Sequence, residues 1–238
     1  MNVDLTDEQE QLRDAVRALG RRYGHDYFVT KAKSGEHTTE LWAEAGRLGY
    51  LGVNVPTEYG GGGGGITELA IVCEELAAAG CPLLLVVVSP AIAATVIHRH
   101  GTEAQRKRFL PGFADGSLKV AFAITEPEAG SNFHRLGTVA RRDGDDWLLS
   151  GRKCFISGVD EARYVLVVAR TEEAATGRLK PALFVVPTDA PGLTRSKLDM
   201  EIVSPENQFL LYLDAVRLPA DALVGESVDA GLPALFAG

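Results

Sequence analysis

The sequence predicts an α+β protein: an N-terminal helical bundle followed by an antiparallel β-barrel or sandwich. Two observations carry that expectation. Apolar residues recur at helical intervals up to about residue 117, and from Leu118 the pattern changes to short runs rich in Val, Ile, Leu, Phe and Tyr separated by turn residues. A length of 238 residues with 46% hydrophobic content suits more than one packed domain. The boundaries read as a helical domain over 1–117, a β-domain over 118–226, and the opening of a further, truncated helical domain over 227–238.

The first helix begins where Thr6 and Gln9 stand in capping-box spacing, and Leu12, Val16 and Leu19 then share one face. ELWAEAGRLGY predicts a second helix, stopped near Gly49 and Gly52. ITELAIVCEELAAAG predicts a third, with Ile66, Leu69, Ala70, Cys73 and Leu76 on one face and Gly80 ending it. Ser89 followed by Pro90 reads as a cap and first-turn pair opening a helix through His100. Gly101 stops that helix, and Thr102 with Gln105 repeats the capping box for the next.

In the second half the predicted strands are LKVAFAITE, GTVARR, DWLLSG, KCFIS, RYVLVVART, PALFVVP, LTRSKL and NQFLLYLDAVRL. Asp143-Gly144 is a hairpin signal and Pro191-Gly192 a second turn, so most neighbours are expected to pair antiparallel. The tail ESVDAGLPALFAG begins as another helix would.

Charge and cysteine content narrow the function classes. A formal net charge of -8 argues against nucleic acid as partner, since phosphate contacts require clustered Lys and Arg. One anionic cofactor needs only a local nest of amides and stays open. Cys73, Cys81 and Cys154 lack metal-ligand or disulfide spacing, which fits a reducing cytoplasm. The N-terminus MNVDLTDEQEQLRDAV has no basic-then-apolar signal pattern, and PLLLVVVSPAIAATVI is interrupted by Ser89 and Pro90, so no membrane span is expected.

Several candidate sites read as structural. The glycines of EYGGGGGGIT lack the Lys and Ser or Thr of a phosphate loop and the preceding strand of a dinucleotide fingerprint, and are expected to form a flexible connection. His98 and His100, two apart on a helix, diverge and make a poor metal pair. Glu74 and Glu75 diverge likewise and make a poor acid-base pair. The stretch AFAITEPEAGSNF is different. Phe122 and Ile124 share a strand face, Thr125 brings a hydroxyl to the strand end, and Pro127 stops the ladder. Ala129-Gly130-Ser131-Asn132 then offers small residues and amides, which suit a closely approaching anionic or heteroaromatic ligand and equally suit a capped turn. Phe155 and Ser157 follow downstream in LLSGRKCFISGVDEA.

Taken in order, EYGG at 58–61, GTEAQRKRFLPGFADG at 101–116, AITEPEAGSN at 123–132, GRKCFIS at 151–157 and VRLPADALVGE at 216–226 resemble the acyl-CoA dehydrogenases over nearly the whole sequence. These are flavoenzymes with an N-terminal helical, a middle β and a C-terminal helical domain. The resemblance implies that Phe122, Ile124, Thr125 and Ser131 of one segment and Phe155, Ile156 and Ser157 of the other line an FAD. Gly130 and Ser131 would lie where its phosphates approach, Thr125 would bond the flavin ring, and Ser131 would also meet the acyl-CoA substrate. An electron-transfer flavoprotein or other acceptor and a homo- or hetero-oligomer are implied as partners, with fatty acid metabolism by β-oxidation as the setting.

The departures are specific. The family's Trp-Ile-Thr is Phe155-Ile156-Ser157 here, its Asp after Gly-Ser is Asn132, Glu128 replaces a small residue, and the glycine run is longer. The family's glutamate base, which takes the proton alpha to the thioester while flavin takes the beta hydride, belongs to the C-terminal domain. The chain is expected to stop before it and to be inactive alone, with Glu126 and Glu128 as substitutes of last resort. The competing expectation is a non-catalytic flavin- or CoA-binding subunit or fragment of a hetero-oligomer.

Overall fold

The computed structural model describes residues 4–172 and 177–228. Helix α1 (Asp7–Ser34) starts as expected: the Gln9 amide donates to Thr6 Oγ1 and the Thr6 amide to Gln9 Oε1. It is broken at Gly24, whose φ of 73° only glycine adopts readily. Helices α2 (Thr39–Arg47) and α3 (Ile66–Ala78) follow, and Val16 and Leu19 of α1 meet Leu69, Val72 and Leu76 of α3 in one buried cluster. Glu75 is spent here, accepting Arg17 Nε at 2.8 Å and a second guanidinium nitrogen at 2.9 Å, so it is a helix tie.

The glycine run between α2 and α3 is a pinned ribbon where a flexible connection was expected. Its amides donate in turn to Thr57 O, Pro56 O, Gly52 O, Val55 O, Val53 O and Glu68 Oε2. Every N–H of Gly60 to Gly65 is therefore committed inside the fold, and none is left to cradle a phosphate.

The next helix also differs from expectation. It begins at α4 (Leu84–Val86), continues through a π-helical stretch Val87–Ala94, and ends in α5 (Thr95–His100), so Ser89 and Pro90 lie inside it. The cap comes from elsewhere: Glu206, buried, accepts the Leu84 amide at 3.0 Å. The Ser89 hydroxyl instead accepts the Val120 amide at 3.0 Å, and the π-helical stretch houses a proline that has no amide to donate. A tertiary partner thus took the group that local chemistry assigned to a cap. Helix α6 (Glu103–Ala114) is capped as expected by Thr102 and Gln105.

The strands are β1 (Val120–Ala123), β2 (Val139–Asp143), β3 (Asp146–Ser157), β4 (Tyr164–Glu172), β5 (Leu179–Pro187), β6 (Leu193–Leu198) and β7 (Gln208–Leu218). They form one curled sheet in the order β1-β4-β2-β3-β7-β6, with β5 on the far edge of β4. The β2–β3, β3–β7, β4–β5 and β6–β7 ladders are antiparallel, as expected of most neighbours, whereas β1 and β2 run parallel to β4. Asp143 pairs with Asp146 across the predicted hairpin, where Gly144 has φ 64°.

Alternate residues explain the two cores. Ala121, Val165, Val167, Phe184 and Val186 fill the sheet interior with Trp147, Leu149 and Leu211, while Val120, Leu166, Val168 and Val185 face Phe109, Leu110 and Phe113 of α6. β4 and β5 are buried on both faces, hence their continuous apolar runs. Gln105 ties the halves together: its Nε2 donates to Asp221 O and Leu223 O, and its Oε1 accepts from Gly225. Of the expected terminal helix, residues 229–238 lie outside the described residues. No described helix is long and apolar enough to cross a membrane.

Candidate functional site

The site follows from how β1 and β2 share β4. Ala123 pairs with Val167, and Val139 pairs with Arg170 on the same strand edge. The chain between them leaves the sheet and returns almost where it left, so segment 124–138 is an excursion with a narrow mouth. Pro127 forbids continued pairing, and Glu126 and Ala129 exchange backbone hydrogen bonds at 3.1 Å each way, turning the chain outward. Gly130 and Ser131 are exposed on this excursion, and a Cβ added at Gly130 would meet nothing within 4 Å.

The mouth is closed by one carboxylate. Glu126 accepts the Gly137 amide at 2.6 Å on Oε2, and the Thr138 amide at 3.0 Å and Lys153 Nζ at 2.8 Å on Oε1. Burial by itself would raise this carboxyl, but the Lys153, Thr138 and Gly137 bonds outweigh it and hold Glu126 below the usual carboxylate range. Lys153 is fully buried, which lowers its ammonium to about 8 against the opposing pull of Glu126. Both Glu126 oxygens are thus engaged in the loop and its proton affinity is reduced, which disfavours it as a general base. Glu128 is exposed.

Strand β3 supplies the second wall. Its pairing with β7 shifts register between Lys153 and Ile156, a bulge that leaves Phe155 at φ 57° and 60% exposed. A bulky residue held left-handed and turned away from the core stores strain of the kind found at ligand sites. The bulge is stitched to the excursion: the Cys154 amide donates to Thr125 O and Lys153 Nζ to Ile124 O, both at 3.0 Å. Ser157 shares hydrogen bonds with Gln208 of β7 at 2.8 and 3.0 Å. Gly158 abuts Leu85, which brings α4 and the first residue of the π-helical stretch, with Leu84 and Val87 exposed, beside the same edge.

The two segments singled out in the sequence are thus neighbours, though not every side chain faces outward. Phe122 and Ile124 are half-buried and pack on the α6-side cluster, Thr125 and Ser157 are half-buried, and Gly130, Ser131 and Phe155 are exposed. Ile156 is buried in the sheet interior, so only its main chain could meet a ligand. Lys153, Glu126 as a closing group, and Gln208 were not found by sequence reasoning. The one available signal was a lysine set in the otherwise apolar run KCFIS. Chemically, an exposed aromatic ring, hydroxyls and an unobstructed glycine turn suit a flat heteroaromatic ligand carrying phosphates.

A cavity of about 790 Å³ lies elsewhere, between the glycine ribbon and α5, lined by Asn54, Gly64, Thr95 and His98. No cluster of three or more metal-ligating side chains occurs among the described residues. Burial lowers the His100 imidazole.

A helical region followed by a curled mixed sheet is the architecture of the acyl-CoA dehydrogenase family, and sequence comparisons show that this chain belongs to it. Residues 6–117 match the acyl-CoA dehydrogenase N-terminal domain and residues 121–207 the middle domain. Acyl-CoA dehydrogenase FadE12 of Mycobacterium tuberculosis is 62% identical over 98% of this chain and 60% of its own length. The pig mitochondrial long-chain specific acyl-CoA dehydrogenase is 35% identical over 93% of this chain and 52% of its own. Among solved structures, the acyl-CoA dehydrogenase from Geobacillus kaustophilus superposes with TM-score 0.88 at 30% identity, covering 99% of this chain and 62% of that one. Glutaryl-CoA dehydrogenase from Mycobacterium smegmatis does so with 0.86 at 33%, covering 100% and 61%. The chain spans about 60% of the length of the relative it matches at 62% identity.

Proposed function

We propose that this chain carries the FAD cradle and part of the acyl-CoA site for α,β-dehydrogenation of an acyl-CoA thioester, with the catalytic base supplied from outside these residues. The observation that carries the reading is the strained, exposed Phe155 beside Ser157, stitched by the Cys154 amide to Thr125 at the mouth of the excursion bearing Gly130 and Ser131. A solved relative, the glutaryl-CoA dehydrogenase from Mycobacterium smegmatis in complex with FADH2, is 32% identical and supports the choice of cofactor.

Bound FAD would accept the beta hydride of the substrate. The chain's own share is binding and orientation. Phe155 offers a ring face, Thr125 and Ser157 offer hydroxyls to the polar edge of the isoalloxazine, and Gly130 and Ser131 admit phosphates and the CoA chain without a side-chain obstacle. Ser157 ends β3 and Thr125 lies two residues past the end of β1, held to β3 through the hydrogen bond from the Cys154 amide to its carbonyl. Proton abstraction needs a free carboxylate, and Glu126 is tied into the loop.

The reading places the domains at 1–117 and 118–226 and the protein in a reducing cytoplasm, in keeping with three free cysteines. An electron-transfer flavoprotein or comparable acceptor would reoxidise the flavin in a homo- or hetero-oligomer. A second reading, a non-catalytic flavin- or CoA-binding subunit, is favoured by the exposed Leu84 and Val87 beside the cradle, which ask for an apolar cover. The ChsE4-ChsE5 complex of Mycobacterium tuberculosis is a related hetero-complex.

The test is the visible absorbance of the purified chain after excess FAD and gel filtration, repeated for Thr125→Ala and Ser157→Ala. Retained flavin that falls in both variants, with circular dichroism unchanged, is expected; equal flavin in all three refutes the cradle. A panel of acyl-CoA thioesters with an artificial acceptor should give negligible turnover, and robust turnover would place a base within the chain.

A further inference from the structure

Segment 124–138 has a feature that ligand binding alone does not require: its two ends are held by a charged pair that is almost entirely buried. Lys153 is fully buried and Glu126 nearly so. Burying such a pair rarely adds stability over an apolar pair of similar volume, because desolvation offsets the attraction. What an apolar pair cannot do is accept and donate in fixed directions. Here one carboxylate accepts the Gly137 and Thr138 amides at the returning end, and one ammonium donates to Ile124 O at the departing end and to that carboxylate between them.

We propose that Glu126 and Lys153 are positioning residues for the cofactor cradle: the pair locks both ends of the excursion to the β3 bulge and so sets Ser131 against Phe155 and Ser157. Two covalent neighbours make the geometry effective. Thr125 precedes Glu126, and its carbonyl takes the Cys154 amide; Cys154 follows Lys153 and leads into Phe155. Any displacement of the pair therefore moves the hydroxyl of one wall and the ring of the other. The identity of what is positioned rests on the FAD reading above, whereas the lock does not.

The experiment uses the whole chain with Lys153→Met, which keeps the buried volume, and the swapped pair Glu126→Lys with Lys153→Glu. The swap restores attraction but puts a donor against the Gly137 and Thr138 amides, so it rescues a plain ion pair and fails to rescue a lock. Amide hydrogen exchange is read at Gly137, Thr138 and Cys154, with β4 and β5 as internal reference, and FAD affinity is read by quenching of flavin fluorescence. Both variants should exchange at least about tenfold faster at those three amides with β4 and β5 unchanged, bind FAD about tenfold more weakly, and shift the visible bands of bound flavin. Exchange within about twofold of the parent overturns the lock. Faster exchange with unchanged FAD affinity and bands overturns positioning of the cofactor. Should the parent chain itself take up no FAD, the cofactor reading fails, and the exchange arm still decides the lock by the same criterion.

Discussion

Phe155 offers the sharpest test of the site geometry, because the structure predicts a reversal of an ordinary preference. Its φ of 57° is left-handed, and the residue is 60% exposed. Holding a non-glycine residue there costs about 1–2 kcal/mol. Full burial of a Phe side chain contributes roughly 1.5–3 kcal/mol, so a ring less than half buried contributes about 1 kcal/mol. Phe155→Ala loses that contribution and keeps the strain. Phe155→Gly loses the same contribution and sheds the strain, but adds about 0.5–1 kcal/mol of extra backbone freedom to the unfolded chain. The glycine variant should therefore be more stable than the alanine variant by about 0.5–1 kcal/mol, and close to the parent. At a regular strand position the order is the opposite. Urea unfolding of the three proteins, compared by midpoint at equal slope, measures it. An alanine variant as stable as the glycine variant would mean that Phe155 is not strained and that the bulge is misjudged. Both variants should lose flavin retention, since each removes the exposed ring.

Gln105→Ala removes a side chain that bonds Thr102, Asp221, Leu223 and Gly225 at once, leaving buried backbone groups without partners. It should cost about 2–4 kcal/mol in urea unfolding, and a loss under about 0.5 kcal/mol would show that the helical domain is not tied to the end of the β-domain through this residue. Gly61→Ala would place a Cβ 2.1 Å from Val55 O, whereas at Gly65 the nearest atom is a flexible carboxylate oxygen of Glu68 at 3.6 Å. The first substitution should cost more than about 2 kcal/mol and the second less than about 1 kcal/mol; equal effects would return the glycine run to a loose connection.

Much was legible because it depends on local chemistry. The Thr6 and Thr102 capping boxes, the Asp143-Gly144 hairpin and the extents of β4, β5 and β7 follow from residues that act on their own neighbours. The same holds for the motifs around Thr125 and Phe155, whose order and spacing identify the family. What failed did so where a distant group competed. Ser89 and Pro90 have the chemistry of a helix start, yet the Val120 amide claims the hydroxyl and Glu206 caps the helix at Leu84. The glycine run lacks side chains to announce its contacts, so only the fold reveals that residues 52–57 and Glu68 accept its amides.

By itself the sequence determined the two-part architecture, the element types and the family, because periodicity, caps and turn residues act over a few positions. Tertiary structure alone decided that β1 and β2 lie end to end on one edge of β4, and that Glu126 and Lys153 meet where the chain leaves and returns. The physical reason is that a buried charge is tolerable only with its partners assembled around it, and those partners come from segments that no local pattern connects.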